Sequence, residues 1–232
     1  TIGAGSTLAL NAAGTIAASS GVANAGTFTI AAAKTIDSMT GAGATTLGAN
    51  ILTIGDADDT SGTYTGVASG TGGITKAGTG MLTLGGVNLY TGLTTVSAGT
   101  LAESVNNALA SGAVTVSGGT FDIGAFTDTV GAVTLTSGSI TGTTGVLTGT
   151  SYAVQSGTIS AILGGAGALT KTTAGTVTLS GANTYTGATT ISAGTLQLAG
   201  GSAIADTAAV TRANTAGAIL DLNGTNETVG SL

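Results

Sequence analysis

Ten carboxylates and four cations are the only residues in this 232-residue chain suited to acid–base work, and neither histidine nor cysteine accompanies them. Ser-His-Asp and Cys-His nucleophile arrangements therefore cannot be assembled from it, nor can zinc centres built on those ligands. What remains is the paired-carboxylate chemistry that cleaves glycosidic bonds. Asp122 and Asp221 occupy equivalent places in an internal repeat, as do Asp128 and Glu227. All four read as outward-facing polar members of alternating strands, and repeat-equivalent positions should lie roughly 20 Å apart along stacked strands. That is too far to share one substrate bond. Lys76 and Lys171, each following a threonine at matching repeat positions, read as solvated strand-end lysines and not as partners of a nucleophilic serine. Asp56, Asp58 and Asp59 form the one acidic cluster. Calcium takes six to eight oxygens; this run lacks the remaining EF-hand ligands, so an Asp-rich turn or protruding loop competes with a calcium site there. Gly41-Ala42-Gly43 and Gly164-Gly165-Ala166-Gly167 do not open helices, which removes a phosphate cradle. No catalytic residue, cofactor or established metal site is expected.

The elements that hold these residues are short strands. An apolar–polar–apolar cassette recurs as Leu8-Ala9-Leu10, Phe28-Thr29-Ile30, Leu52-Thr53-Ile54, Leu82-Thr83-Leu84, Phe121-Asp122-Ile123, Val177-Thr178-Leu179, Leu196-Gln197-Leu198 and Leu220-Asp221-Leu222. Period-two alternation turns one face to a core and the other to water. Cassettes follow each other at about 19–24 residues, the length of one solenoid coil of three strands. Roughly eleven such coils at the strand–strand spacing make a rod on the order of 50 Å long. Residues 102–110 carry the chain's only helical character and are expected to form a helical turn in a loop, while 142–157 read as irregular.

A longer period overlies the short one. Gly73–Leu101 returns as Ala168–Leu196 with 17 of 29 positions identical, and a weaker copy precedes them. The copies run roughly over 1–72, 73–167 and 168–232, and are expected to form one continuous domain belonging to a longer array. The most specific repeated polar residues are Asn88 and Asn183, with Tyr90 and Tyr185, and Gly92 and Gly187 after them. Asn bonds neighbouring backbone in turns and tolerates left-handed geometry, so these six read as corners that fix coil geometry.

Composition narrows the partners. Charged residues are 6% of the chain, aromatic residues 3%, and proline is absent. Ordinary globular proteins carry about 25% charged residues. A net charge of −6 argues against nucleic acid and anionic lipid, which select clustered Lys and Arg. No apolar run reaches the roughly 18 residues of a membrane-spanning helix, so no membrane contact by this segment is expected.

The stretch Leu169-Thr170-Lys171, Asn183-Thr184-Tyr185-Thr186-Gly187 and Ser192-Ala193-Gly194-Thr195-Leu196 resembles the autotransporter-associated β-strand repeat of Gram-negative surface proteins. Residues 74–101 depart from that pattern mildly, at Gly85, Leu89 and Leu93. The resemblance implies an all-β, single right-handed parallel β-helix in a secreted passenger region. It also implies an extracellular or cell-surface location, anchored in the outer membrane through regions outside this segment. On that basis the chain is expected to be a non-catalytic stalk or adhesive passenger segment, with a surface receptor, a polysaccharide or its own copies as partners. A self-assembling extracellular fibre or sheath subunit is the alternative, and a polysaccharide-degrading β-helix enzyme is the third reading.

Overall fold

The computed structural model describes residues 1–16, 21–55 and 60–232. Among them no helix forms, and twenty-five strands pair in parallel throughout. Parallel pairing between strands about twenty residues apart leaves one solution: each coil lies on the one before. The register traces the stack. Lys34 pairs with Leu52, Leu52 with Ile74, Ile74 with Thr94, and Thr94 with Val114. It continues through Val133, Tyr152, Leu169 and Thr189 to Val210. Those steps make a β-solenoid of about ten turns, about 45 Å long at the spacing of paired strands.

Coil length runs from 16 residues, Val146 to Ile162, to 24 residues, Leu196 to Leu220. The expected 19–24 holds for most coils, including 19 from Val177 to Leu196 and 24 from Leu196 to Leu220, but the step from Phe28 to Leu52 joins cassettes of different faces. Phe28 pairs with Thr45, whereas Leu52 stands over Ile74. An unmarked coil passes between them, its inward positions filled by Thr45 and Leu47.

Two of the three faces are continuous along most of the rod. In the middle they fuse, as Val114–Asp122 and Asp128–Thr141 run on through the bend as single strands. Register shifts around Val116, Ser117 and Thr120 absorb the turn there. The third face starts as a five-stranded sheet, Thr7–Leu10, Thr27–Ile30, Ala44–Gly48, Ala68–Gly70 and Leu89–Tyr90. Beyond Tyr90 its next coil is not a strand.

The coils beyond Tyr90 hold two corrections. Residues 102–110 are not helical: Thr100–Glu103 is a strand, and bends and a turn with Asn107 at φ 53° follow. Stacking on Leu84 and Phe121 fixes the extended backbone, so the weak local preference for helix loses. Residues 142–157 are not irregular either; Val146–Val154 is a nine-residue strand paired on both sides.

The interior is a dry file of inward side chains. Leu82, Leu101, Phe121, Ile140, Ile159, Leu179 and Leu198 stack in one column, all essentially inaccessible. All four tyrosines are interior too, and the Tyr152 and Tyr185 rings meet tilted at 6.0 Å. Burial at about 25 cal/mol per Å² of apolar surface is available only to a coil with neighbours, which makes the stack the folding unit.

Candidate functional site

The repeated asparagines sit where the third face stops being sheet. Backbone groups at such a corner cannot all reach the next coil directly, and buried ones left unpaired are costly. Asn88 solves this with an amide that both accepts and donates. Its Oδ1 accepts the Ala68 N–H of the coil before at 2.8 Å, and its Nδ2 donates to the Ala108 carbonyl of the coil after at 2.7 Å. Asn183 repeats the device, accepting from Leu163 N–H at 2.7 Å and donating to Ala203 at 2.6 Å. The expected corners are thus bridges between coils. The sequence had suggested bonds within a turn, and Asn88 makes one, its Nδ2 donating to the Gly86 carbonyl at 3.1 Å, but the bridging partners lie twenty residues away in each direction.

Tyr90 and Tyr185 lie two residues on, fully buried, with hydroxyls on Thr94 and Thr189 at 2.6 and 2.8 Å. Burial pushes both phenols up, Tyr185 to about 12. Gly92 and Gly187 close the corner. A Cβ on either would stand 2.4 Å from the carbonyl oxygen of Gly72 or Gly167 in the coil before, so only glycine allows this approach. Other asparagines bridge coils without belonging to the repeat: Asn24 donates to Ala44, and Asn50 to Ile30. Sequence reasoning passed over them because each stands alone.

Below each repeated asparagine, two coils on, stands an acid. Asp128 Oδ2 accepts Leu109 N–H at 2.8 Å. Glu227 accepts Ala203 and Ile204 N–H at 3.2 and 2.7 Å. Asp128 is fully buried, against the expectation of an outward residue, while Glu227 is half-buried. The alternation in Asp128-Thr129-Val130 points Thr129 outward and therefore Asp128 inward, and the backbone donor there outweighs the preference of a carboxylate for water. Asp122 and Asp221 do lie on the outer side, half-buried, holding the N–H groups of Gly124 and Asn223. Bonds from Gln197 Nε2 and then Asn223 N–H draw the Asp221 carboxyl below its usual range. About five coils, or roughly 24 Å, separate each repeat-equivalent pair.

Lys76 and Lys171 overturn the solvated reading, being 1% and 0% exposed. In Ile74-Thr75-Lys76 the lysine has the inward phase and fills a core column between Ile54 and Val96. Carbonyls replace water around its ammonium: Ala77 and Gly78 for Lys76, Thr173 and Ala193 for Lys171. Desolvation lowers the pKa of Lys171.

Glu103 was missed altogether. It stands over Leu84, 6% exposed, in the position that Leu198 fills in the second copy. Alternation in Leu101-Ala102-Glu103 could have placed it, because Leu101 points inward.

Asp56, Asp58 and Asp59 lie outside the described residues. Among the described residues no three of His, Cys, Asp and Glu come together as a metal site, and no helix is long and apolar enough to cross a membrane. A cleft of ≈ 480 Å³ is lined by Arg212, Leu220, Leu222 and Leu232, and a second of ≈ 330 Å³ by small polar residues including Ser38, Thr40 and Thr60. On the outer surface Ile51, Val67, Val87, Leu89 and Leu93 are exposed, Leu89 by 63%. Val67 and Val87 are neighbours in successive coils, and Leu89 follows on the same side.

Residues 74–102 and 169–198 each match the family model of the passenger-associated-transport-repeat. These are the two segments that carry the asparagine bridges. No curated protein and no solved structure matches the chain.

Proposed function

We propose that this chain, which carries two copies of an autotransporter passenger repeat, is a rigid, non-catalytic stalk or adhesive segment of a secreted, cell-surface protein. One observation carries the reading. The polar residues that the repeat preserves are spent inside the rod, Asn88 and Asn183 on coil-to-coil bonds and Tyr90 and Tyr185 on threonines of their own coil. None faces a cleft. The larger cleft offers one arginine among leucines and no carboxylate, so the pair that glycoside cleavage uses is not assembled there. Rigidity follows from the stack, since bending the rod would open backbone bonds on one face of every coil it crosses.

The test is a soluble-sugar release assay over a panel of acidic polysaccharides, together with small-angle scattering of the purified chain. No release and a single rod about 45 Å long are the expected results. Sugar release would overturn the structural assignment.

The exposed apolar group around Leu89 favours a second reading, lateral self-association into a fibre or sheath. Val87, Leu89 and Leu93 are replaced by Ala182, Thr184 and Ala188 in the second copy, so the fold does not require them. Filaments in electron micrographs that vanish in a Val87→Ala, Leu89→Thr, Leu93→Ala variant would establish it. Single rods under all conditions would dismiss it.

A further inference from the structure

Glu103 and Asp128 bring two carboxyl groups together inside the rod, one in the coil above and one in the coil below. Asp128 spends Oδ2 on the Leu109 N–H. Glu103 Oε1, Glu103 Oε2 and Asp128 Oδ1 are buried and receive no hydrogen bond from any N–H or O–H. Three buried acceptors without a donor would be a heavy cost. The two carboxyl groups lie within hydrogen-bonding reach of each other, so one proton between them engages two of the three. Calcium would want at least six oxygens, and the site offers three.

We propose that Glu103 and Asp128 share one proton as a buried acid–carboxylate pair, and that this bond clips the 104–112 corner to the coil beneath it. Glu103 is the acid. Asp128 keeps the charge because Leu109 and Thr129 N–H groups stabilise it. Among the described residues the other charged group acting on Glu103 is the carboxylate of Asp122, which strengthens its hold on the proton. The buried Tyr90 hydroxyl lies beside both carboxyl groups, stays neutral and is bonded to Thr94. No lysine or arginine among the described residues acts on the pair. Desolvation first, then Asp128, pushes Glu103 up to about 10.

The sign follows from that direction. The folded chain holds a proton that the unfolded chain releases near pH 4.5, so the stabilisation is whole below that pH and is lost as pH rises toward 10. The rod tightens in acid and the 104–112 corner loosens in alkali. The second copy lacks the device, with Leu198 at the Glu103 position and Glu227 satisfied by two backbone donors.

The test uses the full chain, with carboxyl-carbon NMR and urea unfolding from pH 5 to 9. The Glu103 carboxyl signal is expected to stay at its protonated position through pH 7. The unfolding constant of wild type relative to Glu103→Gln is expected to rise about tenfold per pH unit, because the glutamine amide donates to Asp128 at every pH. A Glu103 signal titrating in the ordinary carboxylate range would overturn the proposal. So would equal pH slopes in the two proteins, or calcium at pH 8 stabilising wild type but not the variant. The NMR arm needs no substitution and stands if the variant fails to fold.

Discussion

The two copies of the repeat share their corner and differ in what lies next to it. At 88–92 and 183–187 the same asparagine, tyrosine and glycine bridge, fill and close the coil with nearly superposable distances. Just beyond, the first copy buries Glu103 against Asp128, while the second stacks Leu198 in an apolar column and leaves Glu227 half-exposed. The first copy also carries exposed Val87, Leu89 and Leu93 where the second has Ala182, Thr184 and Ala188. Coil stacking fixes the corner; it leaves the residues beside it free to vary. Whatever distinguishes one stretch of the rod from another must therefore be sought in those neighbours.

Exchanging the divergent residues should expose this most strongly. Leu198→Glu places a carboxyl in a column already packed by Leu179, beside a Glu227 whose oxygens are committed to Ala203 and Ile204. A loss of about 4 kcal/mol in urea unfolding is expected. If the loss were under about 1 kcal/mol, the two sites would be interchangeable and the contrast between copies void.

Removing what the copies share should cost them alike. Asn88→Ala or Asn183→Ala each strands one buried N–H, that of Ala68 or Leu163, at about 2 kcal/mol per variant. Unequal losses would show that only one copy relies on its bridge.

Glu103→Leu converts the first copy toward the second. A gain of about 2 kcal/mol at pH 7, shrinking toward zero near pH 5, is expected because keeping that carboxyl neutral costs more as pH rises. A gain independent of pH would assign the effect to packing alone. The smallest change is Tyr185→Phe, which leaves Thr189 without its hydroxyl partner and should cost about 1 kcal/mol in thermal unfolding. Tyr90→Phe, facing Thr94 in the same geometry, should match it.

Much of this was legible beforehand, and the failures at ionisable residues have one cause. Alternation in Leu82-Thr83-Leu84 and Val177-Thr178-Leu179 gives the strands, and spacing near twenty gives the coil, because both are set by backbone geometry. The misreadings fall on Lys76, Lys171, Asp128 and Glu103. Each has the inward phase and was read as outward, or not read, because it is ionisable. Phase was the better guide: a solenoid core offers carbonyls and N–H groups at its corners, so an inward charge finds partners that a globular core rarely supplies. The asparagine bridges were recognised as corners, but their partners were beyond reach. Nothing in Asn-Leu-Tyr-Thr-Gly states that Ala68 and Ala108 stand above and below it until the coils are stacked.

Amide hydrogen exchange on the Asn88→Ala chain probes this most directly. If the repeat exists to tie coils together, the Ala68 amide should lose protection by about tenfold or more, while Leu163, held by the intact Asn183, exchanges as in the wild type. Unchanged protection at Ala68 would mean that Asn88 is not a bridge, and the reading of the repeat as a stacking device would fail.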